Sequence, residues 1–107
     1  MNLAWTYLII ASLFEIGWPL GLKLSQTTRF KFSFIILAVV AMTLSGIFLW
    51  LAQKEIPIGT AYAVWTGIGA AGTFAVGVVF FGDSLSMMRM LSFALIVIGV
   101  IGMKLAQ

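Results

Sequence analysis

The sequence predicts an all-α membrane protein, with four transmembrane helices in a single domain over residues 1–107. Three observations carry this. Hydrophobic residues make up 63% of the chain and charged residues 8%, against about a half and about a quarter in an average soluble domain. The few charges divide the chain into four apolar runs, and a helix needs roughly 20 apolar residues to cross a bilayer core. The linkers between the runs are short, and lipid tolerates no unpaired backbone, so runs of this length are helices.

The first run extends to Lys23 and holds one charge, Glu15; its helix is expected over about 3–22. It lacks a basic leading region and a carboxylate interrupts it, so it reads as a helix of the mature chain rather than as a signal peptide. The second run, between Lys31 and Lys54, is uncharged and predicts a helix over about 32–52. The third, between Glu55 and Asp83, is also uncharged and predicts a helix over about 57–81. The fourth, about 85–105, has Arg89 near its start and Lys104 at its end. It spans if both long side chains snorkel to the interfaces. Short linkers at about 25–30, 53–56 and 82–86 predict a bundle in which sequential helices are antiparallel neighbours, with both termini on one side. Lys23, Arg29, Lys31 and Arg89 then lie at one membrane face, and Lys54 and Lys104 at the other. Four cations against two is a weak orientation bias. Four helices leave little room inside one chain, so a solute path implies an oligomer. The two-fold relation that transporters often hold within a chain would come from a second copy.

Composition removes most chemistry. The chain has no cysteine, no histidine and three acidic residues. That excludes disulfide scaffolds, thiolate metal sites and the usual general base, so neither an enzyme nor a metal or cofactor site is expected. The net charge of +3 comes from six scattered basic residues. A nucleic-acid footprint needs a basic stripe, so none is expected.

What remains is concentrated on two helices. Glu15 sits inside the first apolar run with no basic residue within a turn. A charge at membrane depth costs about 2.5–3.5 kcal/mol on insertion scales, so intramembrane carboxyls are by default functional. One so placed can exchange a proton for a cation. Trp18 and Ser12, each three residues away, share its face. Trp18 is either an N–H donor to the carboxylate or a packing or interfacial ring. Pro19 removes the hydrogen bond to the carbonyl of Glu15 and predicts a bend there, beside the candidate site. On the third helix Tyr62 and Trp65 are three apart, and their faces suit a cation or simple aromatic packing. Gly67, Gly69 and Gly72 spell G-x-G-x-x-G, but no strand precedes them, so the dinucleotide reading fails. Gly67 and Gly69 read instead as a hinge or as close-packing sites. Ser45, in the middle of the second helix, is expected to bond the carbonyl four residues back or to steady a carboxylate. Gly17 and Gly21 form a G-x-x-x-G pair. Ser92, Gly99 and Gly102 form a small-residue stripe on the fourth helix.

These residues resemble a known family. Phe14-Glu15-Ile16-Gly17-Trp18 followed by Leu22-Lys23, and Pro57-Ile58-Gly59-Thr60-Ala61-Tyr62-Ala63-Val64-Trp65-Thr66-Gly67-Ile68-Gly69, are similar to the small multidrug resistance transporters of bacteria. The resemblance covers the whole chain. A Trp three residues after the membrane Glu resembles the guanidinium-exporter subtype, where the quaternary-ammonium subtype usually has a small Gly-Thr pair. The resemblance implies an antiparallel homodimer in the inner membrane and a central site built from both copies of Glu15. Protons and small organic cations would compete for those carboxylates. It implies a site of Glu15, Trp18, Ser45, Tyr62 and Trp65, with Ser12 beside them, and a dimer interface at Ser92, Gly99 and Gly102. Pro19 and Ser12 depart from the subtype, which commonly has a small non-proline residue and a glycine there. Two alternatives remain at this point: an exporter of hydrophobic quaternary cations, and a non-transporting subunit of a paired exporter.

Overall fold

The computed structural model describes residues 2–106. It contains four helices, α1 (Leu3–Thr27), α2 (Lys31–Ala52), α3 (Ile58–Phe81) and α4 (Met87–Leu105), each long and apolar enough to cross a membrane. The chain is all-helical, as its composition and linkers predict.

Helix α1 begins where the Asn2 side chain accepts the N–H of Trp5 at 3.0 Å, which satisfies one of the free donors of a helix start. It continues past its apolar run to Thr27, beyond the end near residue 22 that hydrophobicity suggests. The extra turn is polar and closes on itself. Ser25 Oγ, Thr27 Oγ1 and Thr28 Oγ1 donate to the carbonyls of Leu22, Lys23 and Leu24. The helix is unbroken through Pro19. Helix α3 ends at Gly82, whose φ of 70° is left-handed, a conformation that glycine adopts without a steric penalty. Helix α4 starts on Ser86, which accepts the N–H of Arg89 at 3.2 Å.

The helices do not close into a bundle. Helix α1 packs on both α2 and α3, α4 packs on α3 alone, and α2 scarcely touches α3. The lateral order is α2–α1–α3–α4, and the chain is a slab of 43 × 34 × 18 Å. Sequence order therefore predicts two of the three neighbours, and the α2–α3 pairing it suggests is replaced by α1–α3.

Small residues explain why α1 is central. A methyl built on Gly21 would lie 3.1 Å from the Phe34 carbonyl oxygen and 3.2 Å from the Ala38 Cβ, and one on Gly17 would lie 3.3 Å from the Ala41 Cβ. The α1 and α2 backbones can approach closely only because these positions carry no side chain. On the other flank, a methyl on Gly72 would overlap the Ile16 side chain and one on Gly69 would overlap Glu15. At the membrane end that holds the termini, Trp5, Leu8, Ala52, Ile56, Ala61 and Val64 form the buried core. Lys104 Nζ lies 4.6 Å above the Trp5 ring there. Helix α4 buries no residue among those described, and a Cβ on Gly99 or Gly102 would meet no atom within 4 Å.

The α1–α2 contact gives a direct test. Gly21→Val forces a branched side chain against backbone, which cannot yield, and is expected to destabilise the protein by about 1–3 kcal/mol. Gly46, with open space around its Cα, is the control, and Gly46→Val is expected to be near neutral. Unfolding in mixed detergent micelles, monitored by tryptophan fluorescence, measures both.

Candidate functional site

Glu15 lies at the midpoint of α1 (Leu3–Thr27), and it is half-buried. Its carboxylate is held locally. The Trp18 indole N–H donates to Glu15 Oε1 at 2.6 Å, the contact that an i, i+3 spacing on one helix makes available. A carboxylate offers about four lone-pair positions, so the contact with Trp18 leaves acceptors free.

The second restraint comes from α3. The Glu15 side chain lies directly on Gly69, where any Cβ would collide with Glu15 Cβ and Cγ. Gly69 is buried. The hinge-or-packing alternative for the two glycines therefore has a structural content. Gly69 admits Glu15, and Gly67 admits the Val100 side chain of α4, within a helix that is continuous from Ile58 to Phe81. Between α1 and α3 is an open cleft of about 260 Å³, lined by Glu15, Pro19, Thr66, Gly69, Ala70 and Thr73. No basic residue lines it.

One turn before Glu15 a separate hydrogen-bond chain joins three helices. Trp65 Nε1 on α3 donates to Ser45 Oγ on α2 at 2.8 Å, and Ser45 Oγ donates to the Ala11 carbonyl on α1 at 2.7 Å. Ser45 does not return to its own helix, as a mid-helix serine usually does, because Trp65 and Ala11 offer it a donor and an acceptor inside a packed junction. It is 1% exposed, so losing either partner would leave a buried hydroxyl unsatisfied. Ala11 O is the carbonyl that receives the N–H of Glu15 in the α-helical ladder. The chain therefore ends on the backbone that carries Glu15, and Ser45 makes no bond to the carboxylate itself.

The remaining candidates divide. Tyr62 lies tilted by 50° against Trp65 with ring centroids 5.5 Å apart and is 56% exposed, so Tyr62 faces outward beside the junction while Trp65 is half-buried in it. Ser12 is fully buried and donates to the Leu8 carbonyl at 2.7 Å, which places its hydroxyl on its own helix and away from the cleft. Pro19 lines the cleft directly. Thr66 and Thr73 also line it and were not singled out from sequence. Their signal was present: with Gly69 they form an i, i+3, i+7 stripe on one face of α3. Ser92 donates to the Met88 carbonyl at 2.8 Å and, with Gly99 and Gly102, lies on the outer helix of the slab, remote from Glu15.

Comparison with known proteins identifies the family. The family model described as Small Multidrug Resistance protein matches residues 3–96. A protein named guanidinium exporter from Yersinia pseudotuberculosis is 49% identical over 105 residues, covering 98% of this chain and 100% of that protein. The guanidinium exporter of Proteus vulgaris is 48% identical over 106 residues, with 98% and 100% covered. That of Escherichia coli K12 is 45% identical over 104 residues, with 97% and 98% covered. With a family match over most of its length, four membrane-length helices and a single intramembrane carboxylate facing a cleft, this chain belongs to the small multidrug resistance family.

Proposed function

We propose that this protein exports guanidinium, or a small substituted guanidinium, from the cell in exchange for protons, and that Glu15 binds both. One observation carries the reading: a lone carboxylate at membrane depth, oriented by the Trp18 N–H, facing a cleft with no basic partner. The names of its relatives support the choice of cation.

The chemistry follows from the acceptor geometry. A planar guanidinium donates two parallel N–H bonds to one carboxylate, a charge-assisted arrangement stronger than neutral hydrogen bonds. Trp18 holds Oε1 while the remaining lone pairs stay available. Once protonated, the carboxyl has no charge to attract the cation and one oxygen becomes a donor. Proton and cargo therefore exclude each other at Glu15, and a proton gradient drives the cation out. Serine and tryptophan at the α1–α2–α3 junction act on Glu15 through the Ala11 carbonyl, as positioning groups.

We further read the working unit as two copies inserted antiparallel in the bacterial inner membrane. Three features support this. The slab is open on the face of the Glu15 cleft, so one chain does not enclose its own site. The cations divide four to two between the two faces, a bias that permits either orientation. Gly99 and Gly102 are small where their own chain demands nothing of them, as a surface meeting another helix would be. Ser92, Gly99 and Gly102 are assigned to that contact.

Glu15→Gln keeps the shape and removes the exchangeable proton. Proton-driven guanidinium transport in proteoliposomes is expected to fall to the level of empty liposomes. Wild-type rates in this variant would end the proposal.

Acidification protonates the carboxylate that the cation needs, so guanidinium affinity is expected to fall as pH falls. The limit is about tenfold per pH unit if one proton is displaced per cation and about a hundredfold if two are. Calorimetric titration across pH reads the slope, and a flat profile would exclude competition.

A tetraalkylammonium has no N–H to give, and would leave carboxylate lone pairs unmatched in a dry site. Guanidinium and monosubstituted guanidinium are expected to move faster than tetraalkylammonium in the same proteoliposomes. The reverse order would assign the protein to export of quaternary cations. No transport of either by the purified protein, with transport restored by a second subunit, would make it part of a paired exporter.

A further inference from the structure

The Glu15 cleft does not end at Pro19 and Thr73. Both residues also line a second cleft of about 260 Å³, which continues along the α1–α3 crease to Lys23 and Asp83. Helices α1 and α3 run in the same direction, so their steps keep register: Glu15, Pro19 and Lys23 descend one wall, and Gly69, Thr73 and Gly77 the other. At 1.5 Å per residue the groove covers about 12 Å of helix from Glu15 to its mouth.

Its oxygen atoms are arranged unusually. Of the other mid-helix hydroxyls, Ser12, Thr43, Thr66 and Ser92 return to the carbonyl four residues back, and Ser45 donates across to the Ala11 carbonyl. Thr73 makes no such bond among the described residues, and it stands where the two clefts meet. Across from it, residue 19 is a proline and has no N–H, so the Glu15 backbone carbonyl has no ladder donor. A free hydroxyl and a released carbonyl therefore flank the same seam. At the mouth, the left-handed Gly82 turns the chain back, and the Asp83 N–H donates to the Gly77 carbonyl at 3.1 Å. The Asp83 carboxylate then rests on Gly77, where a Cβ would collide with Oδ2. Facing it, Lys23 has a long stem that can carry its ammonium out to the interface.

We infer that this crease is the conduction groove of the cargo: Asp83 captures a guanidinium-type cation at the membrane face, Thr73 and the Glu15 backbone carbonyl accept its N–H donors in transit, and the Glu15 carboxylate receives it. The inference rests on guanidinium being the cargo. It assigns roles to Thr73, Asp83 and Pro19, and gives the proline a function that its cost to the helix would otherwise leave unexplained. In an antiparallel pair, the two grooves open on opposite faces of the membrane, so each face has one mouth.

A transit site lowers a barrier in both directions and leaves the end point unchanged. The test is stopped-flow tryptophan fluorescence of the full-length protein in detergent micelles, mixed with guanidinium, for Thr73→Val, Pro19→Ala and Asp83→Asn. Thr73→Val removes the hydroxyl at constant shape, and Pro19→Ala returns a donor to the Glu15 carbonyl. Each is expected to slow association and dissociation together by about three- to tenfold, the worth of one hydrogen bond, with Kd within about twofold of wild type. Asp83→Asn is expected to slow association and to flatten its dependence on salt, because steering by a mouth charge is screened. Wild-type association rates in Thr73→Val and Asp83→Asn would overturn the groove. So would a weakened Kd with unchanged association, which would place these residues in the final site. If the wild-type protein itself gives no guanidinium signal and no calorimetric heat, the cargo assignment fails, and that outcome is distinct from the other two.

Discussion

A carboxylate in the middle of an apolar helix has to be kept available to solutes without being free to wander, and the rest of this small protein is organised around that requirement. Glu15 is held along its own helix by the Trp18 indole and from the side by the bare backbone of α3 at Gly69. The first restraint fixes one oxygen. The second fixes the carbon chain behind it. Neither neutralises the charge, and no basic side chain lines the cleft. An ion pair there would have made the carboxylate less costly to bury.

Positioning extends outward through the backbone. The Trp65–Ser45–Ala11 chain links α3, α2 and α1 at the turn that supports Glu15. Each bond contributes about 1 kcal/mol net, but leaving one buried partner unsatisfied costs about 1–3 kcal/mol. Where α2 scarcely touches α3, these two hydrogen bonds act as a specific connection between helices that otherwise meet only through α1. The junction bears on where Glu15 sits, and the cleft leaves its carboxylate open to the outside.

The two departures flanking Glu15 have different consequences. Ser12 spends its hydroxyl on the Leu8 carbonyl and is buried against the chain, so it adds a packed atom rather than a ligand. Pro19 stands in the wall of the cleft and takes the ladder donor away from the Glu15 carbonyl.

What the sequence determined by itself were the features that depend on spacing within one helix. Apolar runs of bilayer length specify four helices, because backbone groups in lipid have no alternative partner. Glu15 and Trp18 meet because residues three apart share a face whatever surrounds them. Gly17 and Gly21 could be read as a packing pair, although not with which helix. Tertiary structure decided the rest. The lateral order α2–α1–α3–α4, the partner of Ser45, the seat of Glu15 on Gly69 and the place of Thr66 and Thr73 in the cleft all depend on how far one helix is rotated and shifted against another. Each helix here is apolar around most of its circumference, so periodicity does not rank its faces. The ranking came from where small residues allow two backbones to approach, and that is a property of pairs of helices, which no single run of residues contains.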